Sequence, residues 1–329
     1  MGTRVVVTGG GGFIGAYLVR RLVRDGFDVA VIDTMVRGDA GRLAEVADDI
    51  ELFTCDVRDQ APLEKAFAGA EVVMHLAAIN GTENFYKRPE LVLDVGLRGA
   101  LAVVNAGRNA GVPDLVVASS AEVYQTPTVV PTPETVPLML PDSLNPRYSY
   151  GASKIISELI AFDYAQDHYR KVQVFRPHNV YGPDMGYKHV IPQFIVRAAD
   201  ARKAATGGVA PFDIQGDGSQ TRAFCYVDDV IEGVLTMYAK GGHREIFHIG
   251  NDEEVSIRDL AARVANVVGV EVEIRSTEAA PGGTQRRCPD IGKMRKLGYR
   301  PAVNLDEGLK RTAAWYLQHR NDVVSNELM

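Results

Sequence analysis

Short, almost wholly apolar runs punctuate the first half of the chain, and amphipathic stretches with helical spacing lie between them. The runs fall at residues 4–8, 28–33, 50–56, 72–77, 115–119 and 172–176; helices are predicted over 12–24, near 91–110 and near 150–168. Runs such as VVV and LVVA carry no polar alternation, so both of their faces must be buried, as in a parallel sheet between two helical layers. The pattern predicts a doubly wound α/β domain. From Val180 onward, Pro- and Gly-punctuated loops replace this regularity, with a strand-like FDIQG, a helix near 228–238, FHIGN, a helix near 257–267 and a terminal helix near 306–317. No repeat, low-complexity tract or Ser/Gly linker separates the halves. The expected division is 1–179 for the sheet lobe, with a strand returning near 245–250, and 180–329 mainly for a smaller, interleaved lobe.

Composition narrows the classes. With 329 residues, 46% hydrophobic and 24% charged, the chain can bury a sizeable core. A formal net charge of -6 gives no general attraction to a polyphosphate backbone, so nucleic acid is not an expected partner and any phosphate must be held locally. Cys55, Cys225 and Cys288 are too few and too scattered for a disulfide framework or a zinc site, and no metal is expected. The sequence enters its first strand without a leader, and no apolar run approaches the roughly 18 residues of a membrane span. A soluble, cytoplasmic protein without a membrane partner is expected.

The first strand runs into Gly9-x-x-Gly12-x-x-Gly15, which opens directly into a helix. Glycines at this spacing permit a tight turn, close backbone approach to a pyrophosphate at the helix N-terminus and close helix–sheet packing, the signature of a Rossmann-type dinucleotide site. Asp33 ends the second strand about 20 residues on, where a carboxylate accepts from ribose hydroxyls and repels a 2′-phosphate. NAD is therefore favoured over NADP, with Arg37 the one nearby argument for NADP. Asp56 and Val57, at the close of the third run, are placed to flank the adenine or to form a plain strand-end turn.

Tyr150 and Lys154 sit four residues apart at the start of a predicted helix, so phenol and ammonium share one face. A lysine cation lowers the phenol pKa and lets tyrosinate take a hydroxyl proton while hydride leaves. Ser119 and Ser120 follow LVVA at the carboxyl end of its strand, where ligands of open α/β sheets bind.

In this order, these features resemble the extended short-chain dehydrogenase/reductases, the NAD-dependent epimerase/dehydratase group. The similar segments are TGGGGFIG, HLAA at 75–78, SSAEVY at 119–124, YSYGASK at 148–154, RPHNVYGP at 176–183, GDGSQTRAFCYVDDV at 216–230 and RRCPDIGKMRKLGYRP at 286–301. The resemblance implies catalytic roles for Ser120, Tyr150 and Lys154. It implies cofactor contacts from Phe13, Ile14, Leu76, Ala77 and Ala78 beside the glycines, and contacts from Asn179, Arg222 and Arg287 to the diphosphate or nucleoside of a sugar nucleotide. It also implies a homodimer through the helices near 91–110 and 150–168. Where the group usually has Asn-Val-x-Gly-Thr, this chain has Asp94-Val95-Gly96-Leu97-Arg98-Gly99, so no role carries over to Asp94.

The group's shared first step is oxidation of the sugar C4 hydroxyl to a ketone, and nearby side chains decide the rest. Alternation along an extended segment would point Glu122 the same way as Ser120, toward substrate. Ala121 lacks the acid that 4,6-dehydratases of the group carry, and Glu122 matches UDP-glucuronate decarboxylases rather than simple 4-epimerases. His178, Lys188 and His189 lie on the segment expected to cover the sugar. The expected activity is an NAD-dependent nucleotide-sugar epimerase, with a UDP-sugar favoured over a GDP-sugar. Decarboxylation of UDP-glucuronate is the nearest alternative, and a GDP-mannose 3,5-epimerase-like enzyme, a non-catalytic NAD-binding regulator and a one-way dehydrogenase stand further off.

Overall fold

The apolar runs become the strands that their burial demands. The computed structural model describes residues 2–165, 167–204, 208–278 and 284–319. In chain order the first part carries β1 (Arg4–Thr8), α1 (Phe13–Arg24), β2 (Asp28–Asp33), β3 (Ile50–Thr54), α2 (Gln60–Phe67), β4 (Val72–His75), α3 (Thr82–Lys87), α4 (Pro89–Asn109), β5 (Asp114–Ala118), α5 (Ser149–Leu159) and β6 (Lys171–Pro177). The second part carries β7 (Val180–Tyr181), α6 (Val190–Ala204), β8 (Ala210–Gln215), β9 (Thr221–Ala223), β10 (Cys225–Tyr226), α7 (Val227–Lys240), β11 (Glu245–Ile249), β12 (Glu254–Ser256), α8 (Ile257–Val268), β13 (Val272–Thr277), β14 (Arg286–Arg287), α9 (Gly292–Lys296) and α10 (Leu305–Gln318).

Seven parallel strands form the main sheet in the order β11-β6-β5-β4-β1-β2-β3, so β11 returns from the second part to lie beside β6. The chain builds outward from β1 to β3, then starts again on the other side at β4. That reversal opens a crevice at the carboxyl ends of β1 and β4, where ligands of such sheets bind. Helices α1 and α7 cover one face over Val5, Val7 and Val31; α2, α4 and α5 cover the other over Val6, Val73 and Leu115. The fold is thus the doubly wound, Rossmann-type α/β architecture expected. The smaller layer packs α6, α8 and α10 around Ile195, Phe212, Leu260 and Tyr316, beside the parallel pair β8–β13 and the three-stranded sheet β12-β9-β14.

Two local expectations need correction. The helix expected over 150–168 is α-helical only to Leu159; Ile160–Tyr164 forms a wider π-type turn in which the Ala165 amide donates to the Ile160 carbonyl (3.1 Å). Ile160, Ala161 and Ala165 are all buried across the widened turn. The segment from Ser120 to Glu122 is not extended. Ser120 caps a 3-10 turn, Ala121–Tyr124, by accepting from the Glu122 amide (3.1 Å), because a strand-end serine competes for the next free amides. Among the described residues no helix is long and apolar enough to cross a membrane.

Candidate active site

At the crevice the glycines are there for lack of room. Gly9 has a φ of +75°, and a Cβ on it would come 2.7 Å from the Ala77 amide; one on Gly15 would come 2.1 Å from the Gly9 carbonyl. Gly12 caps α1 without a side chain, so no side chain satisfies the first amides of that helix, after Phe13 and Ile14, and its positive end faces the crevice. Asp33 is fixed at the end of β2 by the amides of Gly11 (3.0 Å) and Met35 (2.9 Å). Uncapped amides beside a fixed carboxylate suit a dinucleotide's pyrophosphate and ribose. Across the crevice Leu76, Ala77 and Ala78 follow β4, where the Ala77 amide donates to the Thr8 hydroxyl (3.3 Å), which in turn meets His75 Nδ1 (2.8 Å). Burial, with Lys154 nearby, drives His75 down to about 3 and keeps it neutral.

Tyr150 and Lys154 project from α5 toward the same crevice. The Lys154 ammonium lies 5.8 Å from the Tyr150 ring centroid and donates to the Ala118 carbonyl (2.7 Å). The Ser120 hydroxyl faces the phenol closely enough to oppose its upward shift, so all three side chains converge. Burial raises Tyr150 to about 12, opposed by Ser120 and by the Arg37 charge and aided by Glu122. Burial lowers Lys154 to about 8, opposed by Glu158. Phe85 of α3 stacks on the Tyr150 ring at 5.1 Å and 13°, covering it from water.

Glu122 reaches the site by a route other than strand alternation. Its carboxylate accepts from the Arg287 guanidinium at 2.6 Å, and the turn that Ser120 caps aims it there. Arg287 on β14 is paired in parallel register with Arg222 on β9, so two guanidiniums stand side by side. Burial favours the neutral acid of Glu122, but the charges of Arg287, Arg147 and Arg222 outweigh it and hold the pKa below the ordinary range. Arg222 is pushed down to about 10, by burial first and then by Arg287, with Arg147 adding to this and Glu122 opposing. Three arginines thus surround one carboxylate.

The remaining predicted residues are dispersed. Asp56 lies beyond β3, held by Arg58 (2.6 Å), which also pairs with Asp94. The Val57 side chain is buried against α4. Asn179, at φ +38°, donates to the Ala223 carbonyl (3.0 Å) and joins β6 to the smaller layer. His178 does not sit on a sugar-covering surface: it is 1% exposed and packs edge-on against His248 at 4.7 Å, because it closes the buried end of β6. Lys188 is exposed and paired with Glu83 of α3, and His189 is exposed beside Arg37. Sequence reasoning missed Phe85, Arg147 and Glu158. Only Glu158 left a signal, lying four residues after Lys154 on the same helix face.

A family model described as the NAD dependent epimerase/dehydratase family matches residues 5–250. The chain belongs to that family. Its members depend on NAD, and the uncapped glycine turn with Asp33 has the chemistry that such a cofactor's pyrophosphate and ribose require. The chain is 29% identical to the UDP-N-acetyl-alpha-D-glucosaminuronate decarboxylase of Bacillus cytotoxicus, over 98% of this chain and 100% of that one. It is 31% identical to the putative UDP-glucose 4-epimerase of Methanocaldococcus jannaschii, over 94% and 97% respectively. Among solved structures, DesIV, the dTDP-glucose 4,6-dehydratase of Streptomyces venezuelae with NAD and TYD bound, superposes with a TM-score of 0.85 at 30% identity, over 97% of this chain and 98% of that one. Family members of this kind thus include decarboxylases, epimerases and dehydratases built on one architecture.

Proposed function

We propose that the chain is an NAD-dependent nucleotide-sugar decarboxylase acting on a UDP-uronate. The observation that carries this reading is the Glu122–Arg287 pair within a cluster of three arginines, beside Ser120 and Tyr150. Exchange of a C4 hydroxyl configuration needs only the proton-handling set and a hydride carrier; an added carboxylate and a surplus of guanidiniums fit a substrate with an extra negative charge at C5. NAD, when bound, supplies the hydride acceptor and later the donor. Tyr150, facing Ser120 and Lys154 and with burial's upward push on its phenol opposed by Ser120 and Arg37, takes the C4 hydroxyl proton. The guanidiniums hold the C5 carboxylate, which leaves as carbon dioxide while its electron pair passes into the C4 ketone as an enolate. A water beside the Glu122–Arg287 pair then delivers a solvent proton to C5, and Tyr150 gives its own proton back to the C4 oxygen as the ketone is reduced.

Epimerisation at C4 remains the second reading, favoured by the similarity to the M. jannaschii protein and by the complete Ser120, Tyr150 and Lys154 set. Incubation with UDP-glucuronate and with UDP-glucose, followed by mass spectrometry of the products, separates the two. Loss of carbon dioxide from UDP-glucuronate supports the proposal; a product of unchanged mass from either substrate replaces it with epimerisation. A second copy of the chain would pack on the outer faces of α4 and α5, where Leu93, Leu159 and Tyr164 are exposed, and sedimentation measures that directly.

A further inference from the structure

Beneath the site lies a fully buried polar chain that the proposed chemistry does not use. Arg176 of β6 donates to Glu158 of α5 through Nε (2.8 Å) and Nη2 (2.5 Å), and both side chains are almost completely enclosed. The Ser119 hydroxyl donates to the same carboxylate. On the other side, Arg176 Nη1 donates to the Tyr124 hydroxyl. That hydroxyl lies 2.7 Å from His248 Nε2, and His248 Nδ1 lies 3.3 Å from the Asp290 carbonyl. The acceptor at Asp290 fixes the proton on Nδ1, so from Arg176 through Tyr124 and His248 each donor points toward Asp290, while Arg176 and Ser119 both donate to Glu158. His248 is pushed down to about 3, by burial first and then by Arg176, and stays neutral. The series runs from the strand end that carries the catalytic serine, through the turn that carries Glu122, to the segment just after Arg287.

Glu158 is also one helical turn beyond Lys154. The lysine amine is anchored on Ala118 and the glutamate carboxylate on Ser119, adjacent residues at the end of β5. A bidentate guanidinium in an enclosed site is far more than a surface ion pair, and it fixes the position of this carboxylate.

We propose that Glu158, locked by Arg176, is a positioning residue that holds Lys154 charged and aligned for the reaction and ties the two sides of the active site together. This rests on the reading that Tyr150 and Lys154 perform the proton chemistry, and it is independent of the fate of C5. The charged and titratable groups facing Lys154 are Glu158 and Tyr150 on its own helix and His75 from β4; Arg176 acts on it only through Glu158.

The test uses the full chain labelled with 15N-lysine, in which the Nζ resonance of Lys154 is assigned by its loss in Lys154→Arg and titrated by NMR. The wild-type midpoint is expected near 8. Glu158→Gln should lower it by about one pH unit, and Glu158→Asp, which keeps the charge but sets it one methylene further away, should lower it by roughly half as much. In turnover, whichever sugar nucleotide is converted, the same shift reduces kcat at pH 8 roughly fivefold at nearly constant KM, as the charged fraction falls from about one half to about one tenth. A Glu158→Gln midpoint that coincides with wild type overturns the proposal. If that variant does not fold, Glu158→Asp alone decides: its longer gap to Lys154 must lower the midpoint measurably, and an unmoved midpoint leaves the pair a purely structural one. Absence of turnover with every sugar nucleotide would instead defeat the functional reading while the NMR midpoint still reports on Glu158.

Discussion

Replacing Glu122 by Gln should tighten the binding of an acidic sugar nucleotide while slowing its conversion. The carboxylate sits among Arg147, Arg222 and Arg287, so this cluster carries a net charge of +2 that becomes +3 in the variant. Glu122 and Arg287 are 27% and 13% exposed, so the local medium lies between bulk water and a typical protein surface site. For a substrate carboxylate roughly 6 Å from Glu122, the repulsion removed is about 0.7 kcal/mol at a dielectric of about 80 and about 3 kcal/mol at about 20. The dissociation constant for UDP-glucuronate should therefore fall roughly 3- to 100-fold. UDP-glucose shares the diphosphate but lacks the carboxylate, so its affinity should change far less. Calorimetry in a Tyr150→Phe background, where turnover is blocked, measures both ligands at equilibrium. Weakened UDP-glucuronate binding, or a parallel change for the two ligands, would refute the placement of a substrate carboxylate in this cluster.

Three other perturbations probe separate parts of the site. Tyr150→Phe keeps the 5.1 Å stack on Phe85 and should leave the thermal transition nearly unchanged while kcat falls roughly 10²- to 10⁴-fold, read by product formation under saturating substrate. Gly15→Ala drives a Cβ to 2.1 Å from the Gly9 carbonyl, so the turn must open and the chain should no longer retain NAD, as followed by NADH fluorescence titration. Lys154 has its pKa lowered from an ordinary 10.5 to about 8, so between those values the unfolded chain binds more protons and stability must rise with pH. Relative to Lys154→Met, the wild type should gain up to about 3 kcal/mol between pH 7 and pH 10.5 in denaturant titrations; a constant difference across that range would mean that the amine is not buried as a charge.

Most of the sheet was legible in the sequence because a strand buried on both faces must be apolar throughout. Val5 to Val7 and Val29 to Ile32 admit no other reading, and β1 and β2 span the predicted residues. The ends were less legible. Residues 55 and 56 leave β3 because Asp56 turns to Arg58, a competition between side-chain and ladder bonds that hydrophobicity does not encode. The convergence of Ser120, Tyr150 and Lys154 was readable because Tyr150 and Lys154 lie on one helix and Ser120 at a strand end. Glu122 was noticed for a geometric reason that the fold does not use, since Ser120 winds the next residues into a turn. Its partner could not be read at all, because 165 residues separate Glu122 from Arg287 and only the folded register of a three-stranded sheet brings them together. His178 illustrates the converse: its position in a motif suggested access, whereas its place at the end of a central strand buries it.

The parallel pairing that sets Arg287 beside Arg222 has a consequence for how such a protein can change. Ser120, Tyr150 and Lys154, the proposed proton-handling set, stand at the seven-stranded sheet, whereas the charge that would select the sugar is delivered by two short strands outside it. A lineage, or a designer, could exchange those two strands and alter which sugar is accepted while the oxidation step continues undisturbed. Substrate choice and chemistry would then drift apart as separately heritable traits, each open to selection without first dismantling the other.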